Sequence, residues 1–218
     1  MKNITVLVSG SGTNLKVLID SIKEKKIRNG RINLVISSKK DAKALDIAKK
    51  ENIKTIAISK KDFKSDEEYQ EEMFKSLKNE NPDLIVLAGF LYILSEKIVK
   101  YFKNKIVNIH PSLIPSFCGN GMYGLNVHKA VLEKGVKITG ATVHFVNEKA
   151  DEGPIILQKC IKVKQTDTPE ILQTRVKEEV EWKILKKAVN LICLDKVEVI
   201  DNKTYIKTWN NNLNFKTY

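Results

Sequence analysis

The run Asp83-Leu84-Ile85-Val86-Leu87-Ala88, set between Pro82 and Gly89, limits the architecture more than any other stretch. Side chains alternate between the two faces of a strand. An uninterrupted apolar run therefore predicts a strand buried on both faces, as in the middle of a parallel sheet. Residues 3–8 (NITVLV) read as a second buried strand, followed by the glycine turn SGSGTNL (9–15) and a helix to Ile22. Strand, glycine turn and helix are the opening of a βαβ unit, so the N-terminal half is expected to be Rossmann-like.

The same alternation continues along the chain. Strands are expected at 32–37, 55–58, 106–110, 138–146 and 155–163. Helices are expected at 41–50, 66–79, from about Ser95, at 128–133 and, as one long element opened by Thr168-Pro169-Glu170, over 168–194. Alternating strands and helices predict an α/β fold with one doubly wound, mostly parallel sheet. Neither a repeat nor a linker breaks the pattern. A single domain over 1–195 is therefore expected, with a hairpin around Asp201-Asn202 and an asparagine- and lysine-rich tail making up 196–218.

Composition removes several function classes. No segment reaches the ~18 consecutive apolar residues of a membrane helix, and the run Ile4–Val8 is too short for a signal-peptide core. Cys118, Cys160 and Cys193 are widely spaced and form no CxxC pair, which points to neither a disulfide framework nor a zinc site. A cytoplasmic protein is expected. The net charge of +12 comes mainly from lysines dispersed among acidic residues, without the arginine and aromatic clusters that stack bases. Scattered lysines on solvated faces explain it better than nucleic-acid binding, and they would also gather small anions.

Chemistry concentrates in IVNIHPSLIP (106–115). Asn108 and His110 fall two residues apart on one strand face, and Pro111 ends the strand, so both stand at a carboxyl end where open α/β sheets bind ligands. A strand-end histidine that satisfies a loop carbonyl is the plainer alternative. In SGSGTNL, Gly10 and Gly12 allow a tight turn and the next helix offers its positive end to a phosphate. Leu15 replaces the third glycine of the dinucleotide fingerprint, and the Walker Gly-Lys-Ser/Thr is missing, so a monophosphate site assisted by Ser11, Thr13 and Asn14 is expected. Asp151, in a polar turn, gains meaning if folding brings it to His110, where a carboxylate would orient the imidazole and favour its protonated form. His128 and His144 are weaker candidates, and the three histidines lack metal-ligand spacing. The glycine- and proline-containing segment 111–126 is long enough to be functional or mobile.

Taken in order, SGSGTNL, VLAGFLYILS, NIHPSLIPSF, GATVHFV and DEGPIILQ resemble the phosphoribosylglycinamide formyltransferases over residues 2–190. The resemblance implies the formyltransferase fold and transfer of a formyl group from 10-formyltetrahydrofolate to the amine of glycinamide ribonucleotide in purine biosynthesis. It implies that Asn108, His110 and Asp151 form the catalytic trio. Gly12, Thr13 and Asn14 would bind the ribose phosphate, and Glu181 would contact the ribose. Leu91, Tyr92, Ile93 and Leu94, with Asn108, would hold the folate. No metal, nucleic acid or membrane is implied. Asp66 stands where the family often has arginine near the folate, with Lys64 close by, and Lys186 replaces a usual helix proline. The alternatives are a 10-formyltetrahydrofolate hydrolase or another folate-dependent formyltransferase, a nucleotide-binding module without catalysis, and a basic nucleic-acid-binding protein.

Overall fold

In the computed structural model, which describes residues 1–207, β1 (Lys2–Val8) and β4 (Leu84–Leu87) have the two-faced burial that their sequences predict. All four residues of β4 and Ile4 to Val8 of β1 are buried. The expected tail beyond Lys207 lies outside the described residues. Two compact units are present, residues 1–108 and the chain from Ile109 onward.

In the first unit β1 pairs in parallel with β2 (Gly30–Ser37) and with β4. The strand β2 also pairs in parallel with β3 (Lys54–Ala57), and β4 with β5 (Ile106–His110). The order β3-β2-β1-β4-β5 is that of a doubly wound sheet, and it reverses direction between β1 and β4. At such a switch point the loops leaving the two strands diverge to opposite sides and open a crevice at their carboxyl ends. The loop after β1 is the glycine turn and the loop after β4 is Ala88–Ser95. Both candidate binding segments of this unit therefore follow from strand order.

The connecting helices are α1 (Thr13–Lys23), α2 (Lys43–Lys50), α3 (Asp66–Glu80) and α4 (Glu96–Tyr101). The helix α3 starts where the Ser65 side chain accepts a hydrogen bond from the Glu68 N–H at 3.2 Å. It stops at Asn81, whose φ of 44° is left-handed, immediately before Pro82. Tyr69, Met73, Phe74 and Leu77 recur at helical spacing and are buried. Truncating the fully buried Met73 to alanine would cost about 2–5 kcal/mol.

The second unit holds α5 (Leu125–Lys134) and an antiparallel pair, β6 (Ile138–Phe145) with β7 (Ile155–Lys162), whose register shifts between Val143 and His144. It continues with α6 (Pro169–Val176), α7 (Trp182–Cys193) and the antiparallel pair β8 (Val197–Ile200) and β9 (Lys203–Ile206). The single helix expected over 168–194 is divided by a π-helical turn at Lys177–Glu181. No proline or glycine marks that turn in the sequence. The Thr168 cap is present: its hydroxyl accepts from the Ile171 N–H at 3.3 Å, with Pro169 at the first turn. Just before it, the Arg175 guanidinium meets the Asp167 carboxylate at 2.6 Å and donates to the Lys162 carbonyl, pinning the turn into α6. Among the described residues no helix is long and apolar enough to cross a membrane.

Candidate active site

His110 ends β5 and is buried, at 4% exposure. Its Nε2 lies 2.9 Å from the Phe117 carbonyl, and its Nδ1 lies 3.6 Å from Asp151 Oδ2. Both partners accept hydrogen bonds, so only the doubly protonated ring can donate towards both. Asn108, two residues earlier on the same strand, is half-buried. The plainer alternative for His110, a bond to a loop carbonyl, is therefore realised alongside the carboxylate contact.

Asp151 is the centre of the cluster. It accepts from the Gly119 N–H at 2.9 Å through Oδ2, and its Oδ1 faces His144 Nε2 at 3.5 Å. Burial opposes its ionisation. The hydrogen bond from His144, the charge of His110 and the Gly119 amide together outweigh burial and hold the carboxyl below its ordinary value. Its φ of 58° is left-handed, a conformation that aspartate tolerates better than most residues. Gly153 completes the turn, because a Cβ there would lie 1.8 Å from the Phe145 carbonyl oxygen. That contact explains the Asp-x-Gly spacing by packing against the end of β6.

Three participants were not placed at the site by sequence. His144, a weaker candidate in the sequence, bonds the Phe145 carbonyl through Nδ1 at 2.9 Å, and its other nitrogen turns to Asp151. It lies two residues from Thr142 and so on the same face of β6, while the register shift beside it leaves Ile156 of β7 without a partner on β6. Thr142 and Gln158 tie down the segment after Pro111. The Thr142 hydroxyl donates to the Ser112 carbonyl at 2.7 Å and accepts from the Ile114 N–H at 3.1 Å, while Gln158 donates to the Ile114 carbonyl at 2.9 Å. The first part of the long 111–126 connection is thus anchored to β6 and β7. His128, on α5, is fully buried, and burial first, then Lys177 and His110, push its pKa down to about 4.

The remaining candidates lie elsewhere in the chain. Glu181 is buried at the end of the π turn. Gly12 (φ 75°) and Thr13 form the junction of the glycine turn with α1, and the buried Oδ1 of Asn14 has no hydrogen-bond partner. A Cβ on Gly12 would lie 2.7 Å from the Ala44 backbone, so this glycine also lets α1 approach α2. In the loop after β4, Leu91 and Ile93 are exposed, Leu94 is buried and Tyr92 packs 5.6 Å from the Tyr69 ring. The Ser9 hydroxyl accepts from the Leu91 N–H at 3.0 Å, joining this loop to the glycine turn. Asp66, the departure noted in the sequence, is paired with Lys60 at 2.6 Å, and the Lys60 ammonium also stands 5.8 Å over the Tyr92 ring. Among the described residues no group of His, Cys, Asp and Glu is arranged to hold a metal ion.

Comparison with known proteins agrees with the fold. Residues 2–189 match the family model described as formyl transferase. The chain is 37% identical to phosphoribosylglycinamide formyltransferase of Haemophilus influenzae, covering 94% of both chains. It is 44% identical to the trifunctional purine biosynthetic protein adenosine-3 of Gallus gallus over 90% of its own length, but it spans only 19% of that protein. The crystal structure of glycinamide ribonucleotide transformylase 1 from Symbiobacterium toebii superposes with a TM-score of 0.87 at 36% identity, covering 94% of each chain. With the family model spanning both the glycine turn and the His110–Asp151 cluster, the chain belongs to the formyl transferase family.

Proposed function

We propose that this chain transfers the formyl group of 10-formyltetrahydrofolate to the amine of glycinamide ribonucleotide, a step of purine biosynthesis, and that residues 1–195 work as one formyltransferase domain. One observation carries the reading: Asp151, held ionised, contacts the imidazole that ends β5. The turn Gly12–Asn14 takes the ribose phosphate through backbone N–H groups and the end of α1, and Glu181 contacts the ribose. Leu91–Leu94 and Asn108 take the folate.

The amine attacks the formyl carbon and forms a C–N bond, while the carbonyl π electrons move to oxygen. Asn108 and protonated His110 donate to that oxyanion. His110 Nε2 is now satisfied by the Phe117 carbonyl, so the formyl oxygen takes over this donor when substrate binds. Collapse of the intermediate restores the carbonyl and breaks the bond to N10 of the folate. Asp151 holds His110 in orientation and helps carry the proton lost by the attacking amine to the leaving nitrogen.

A spectrophotometric assay with a 10-formyl folate tests this. Release of deformylated folate only in the presence of glycinamide ribonucleotide supports the transferase. Release without it identifies a hydrolase, and no release under either condition refutes formyl chemistry.

A further inference from the structure

The loop leaving β4 is unusual in what it exposes. Leu91 is 53% and Ile93 70% exposed, although large aliphatic side chains gain free energy by leaving water. Side chains from elsewhere in the first unit hold the backbone between and beyond them. At the entry, the Ser9 hydroxyl accepts from the Leu91 N–H and is itself 2.6 Å from the buried Ser38 hydroxyl. At the exit, one side chain makes two bonds. Gln70 on α3 donates from Nε2 to the Ile93 carbonyl at 2.9 Å and accepts at Oε1 from the Ser95 N–H, also at 2.9 Å. Tyr92 between them leans on Tyr69 and Phe90.

The chemistry of Gln70 fits this place narrowly. A primary amide carries a donor and an acceptor in one planar group, so it can satisfy a carbonyl and an N–H two residues apart. Glutamate lacks the donor and lysine the acceptor. Neither bond is needed for α3 itself, whose buried residues are Tyr69, Met73, Phe74 and Leu77.

We propose that Gln70 is a positioning residue for the folate, clamping the Ile93 carbonyl and the Ser95 N–H so that the 91–94 loop is already ordered when the cosubstrate arrives. This rests on reading Leu91–Leu94 as the folate-binding loop. Ordering even a few backbone residues at the moment of binding weakens affinity, and a preset loop avoids that loss. Losing two hydrogen bonds to the loop corresponds to about tenfold weaker folate binding. The ribonucleotide and the chemical step are untouched.

The experiment compares wild type, Gln70→Met, Gln70→Glu and Ile93→Ser. Each is titrated calorimetrically with a non-transferring 10-formyl folate analogue, followed by steady-state kinetics and thermal melts. Gln70→Met, which keeps size and helix preference, is expected to raise Kd for the analogue and KM for the folate about tenfold. Its KM for the ribonucleotide and its kcat at saturating folate stay within about twofold of wild type. Gln70→Glu retains the acceptor for Ser95 but sets an oxygen against the Ile93 carbonyl, so it also binds weakly. Wild-type affinity in either Gln70 variant overturns the clamp, and so does unfolding of Gln70→Met, because a role confined to the loop leaves the α3 core intact. Ile93→Ser separates the two levels. If it binds the analogue as wild type does, the folate-loop reading has failed and takes the clamp with it. Weakened binding there with normal binding in Gln70→Met defeats the clamp alone.

Discussion

His128 should make the stability of this protein fall as the solution is acidified from neutral. The side chain is fully buried on α5, and neither ring nitrogen has a hydrogen-bond partner. Burial, reinforced by Lys177 and His110, lowers its pKa from 6.5 to about 4. The unfolded chain therefore binds a proton between those values that the folded chain refuses. Stability is complete above the unfolded pKa and is lost as pH falls towards the folded one. At 1.36 kcal/mol per unit, the whole window is worth about 3 kcal/mol, of which about 2 kcal/mol falls between pH 7 and pH 5. For a chain of this size that is a Tm change of about 4–8 °C. His128→Leu removes the titration and orphans no partner, so at pH 7 it should cost less than about 1 kcal/mol or stabilise. Melting both proteins by calorimetry from pH 7 to pH 5 isolates the effect, since the surface carboxylates are common to the two. Asp151, with its lowered pKa, titrates below this window. Parallel Tm curves would refute the reasoning.

Three further perturbations test other parts of the structure. Asp151→Asn should keep the fold, because asparagine also tolerates the left-handed turn, and should lower turnover by a factor of ~10² or more; near-normal steady-state rates would sink the assignment. Gly12→Val places a Cβ 2.7 Å from the Ala44 backbone at a φ of 75°, so about 3 kcal/mol or more of stability should go in a denaturant titration. An unchanged midpoint there would show that α1 and α2 can separate without loss. Arg175→Met leaves the Asp167 side chain, which is 1% exposed, without its cation and should cost about 3 kcal/mol or more, read as a lower unfolding midpoint.

What could be read from the sequence was what depends on neighbours along the chain. The strands β1 and β4 declared themselves because two-faced burial leaves no charged residue and only Thr5 as a polar one in the buried runs. The cap of α6 was visible because Thr168 and Pro169 act within one turn. Position 153 needed glycine for a different reason, contact with the Phe145 carbonyl, which no local pattern expresses. The π turn at Lys177–Glu181 was likewise silent, since neither proline nor glycine marks it. Gln70 looked like one more polar residue on a charged helix. Its role depends on a carbonyl and an N–H more than twenty positions away.

The same distinction bears on Asp151. Its residue type and turn alone describe a surface aspartate, and folding brings imidazoles to both of its oxygens. His110 meets Oδ2 and His144 meets Oδ1. A carboxylate facing a single histidine could be lost into either of two arrangements, with the proton on the acid or on the ring. A second contact, together with the Gly119 amide, stabilises the ionised acid specifically, because each of these groups offers positive charge or a donated hydrogen. The alternation of β6 sets His144 on the same face as Thr142, so a strand residue contributes to the charge of a group that β6 does not contain. In the proposed reaction an ionised Asp151 is the state that can steady a protonated His110 against the developing oxyanion. His144 thereby acts on the reaction through the carboxylate, one contact removed from the formyl group.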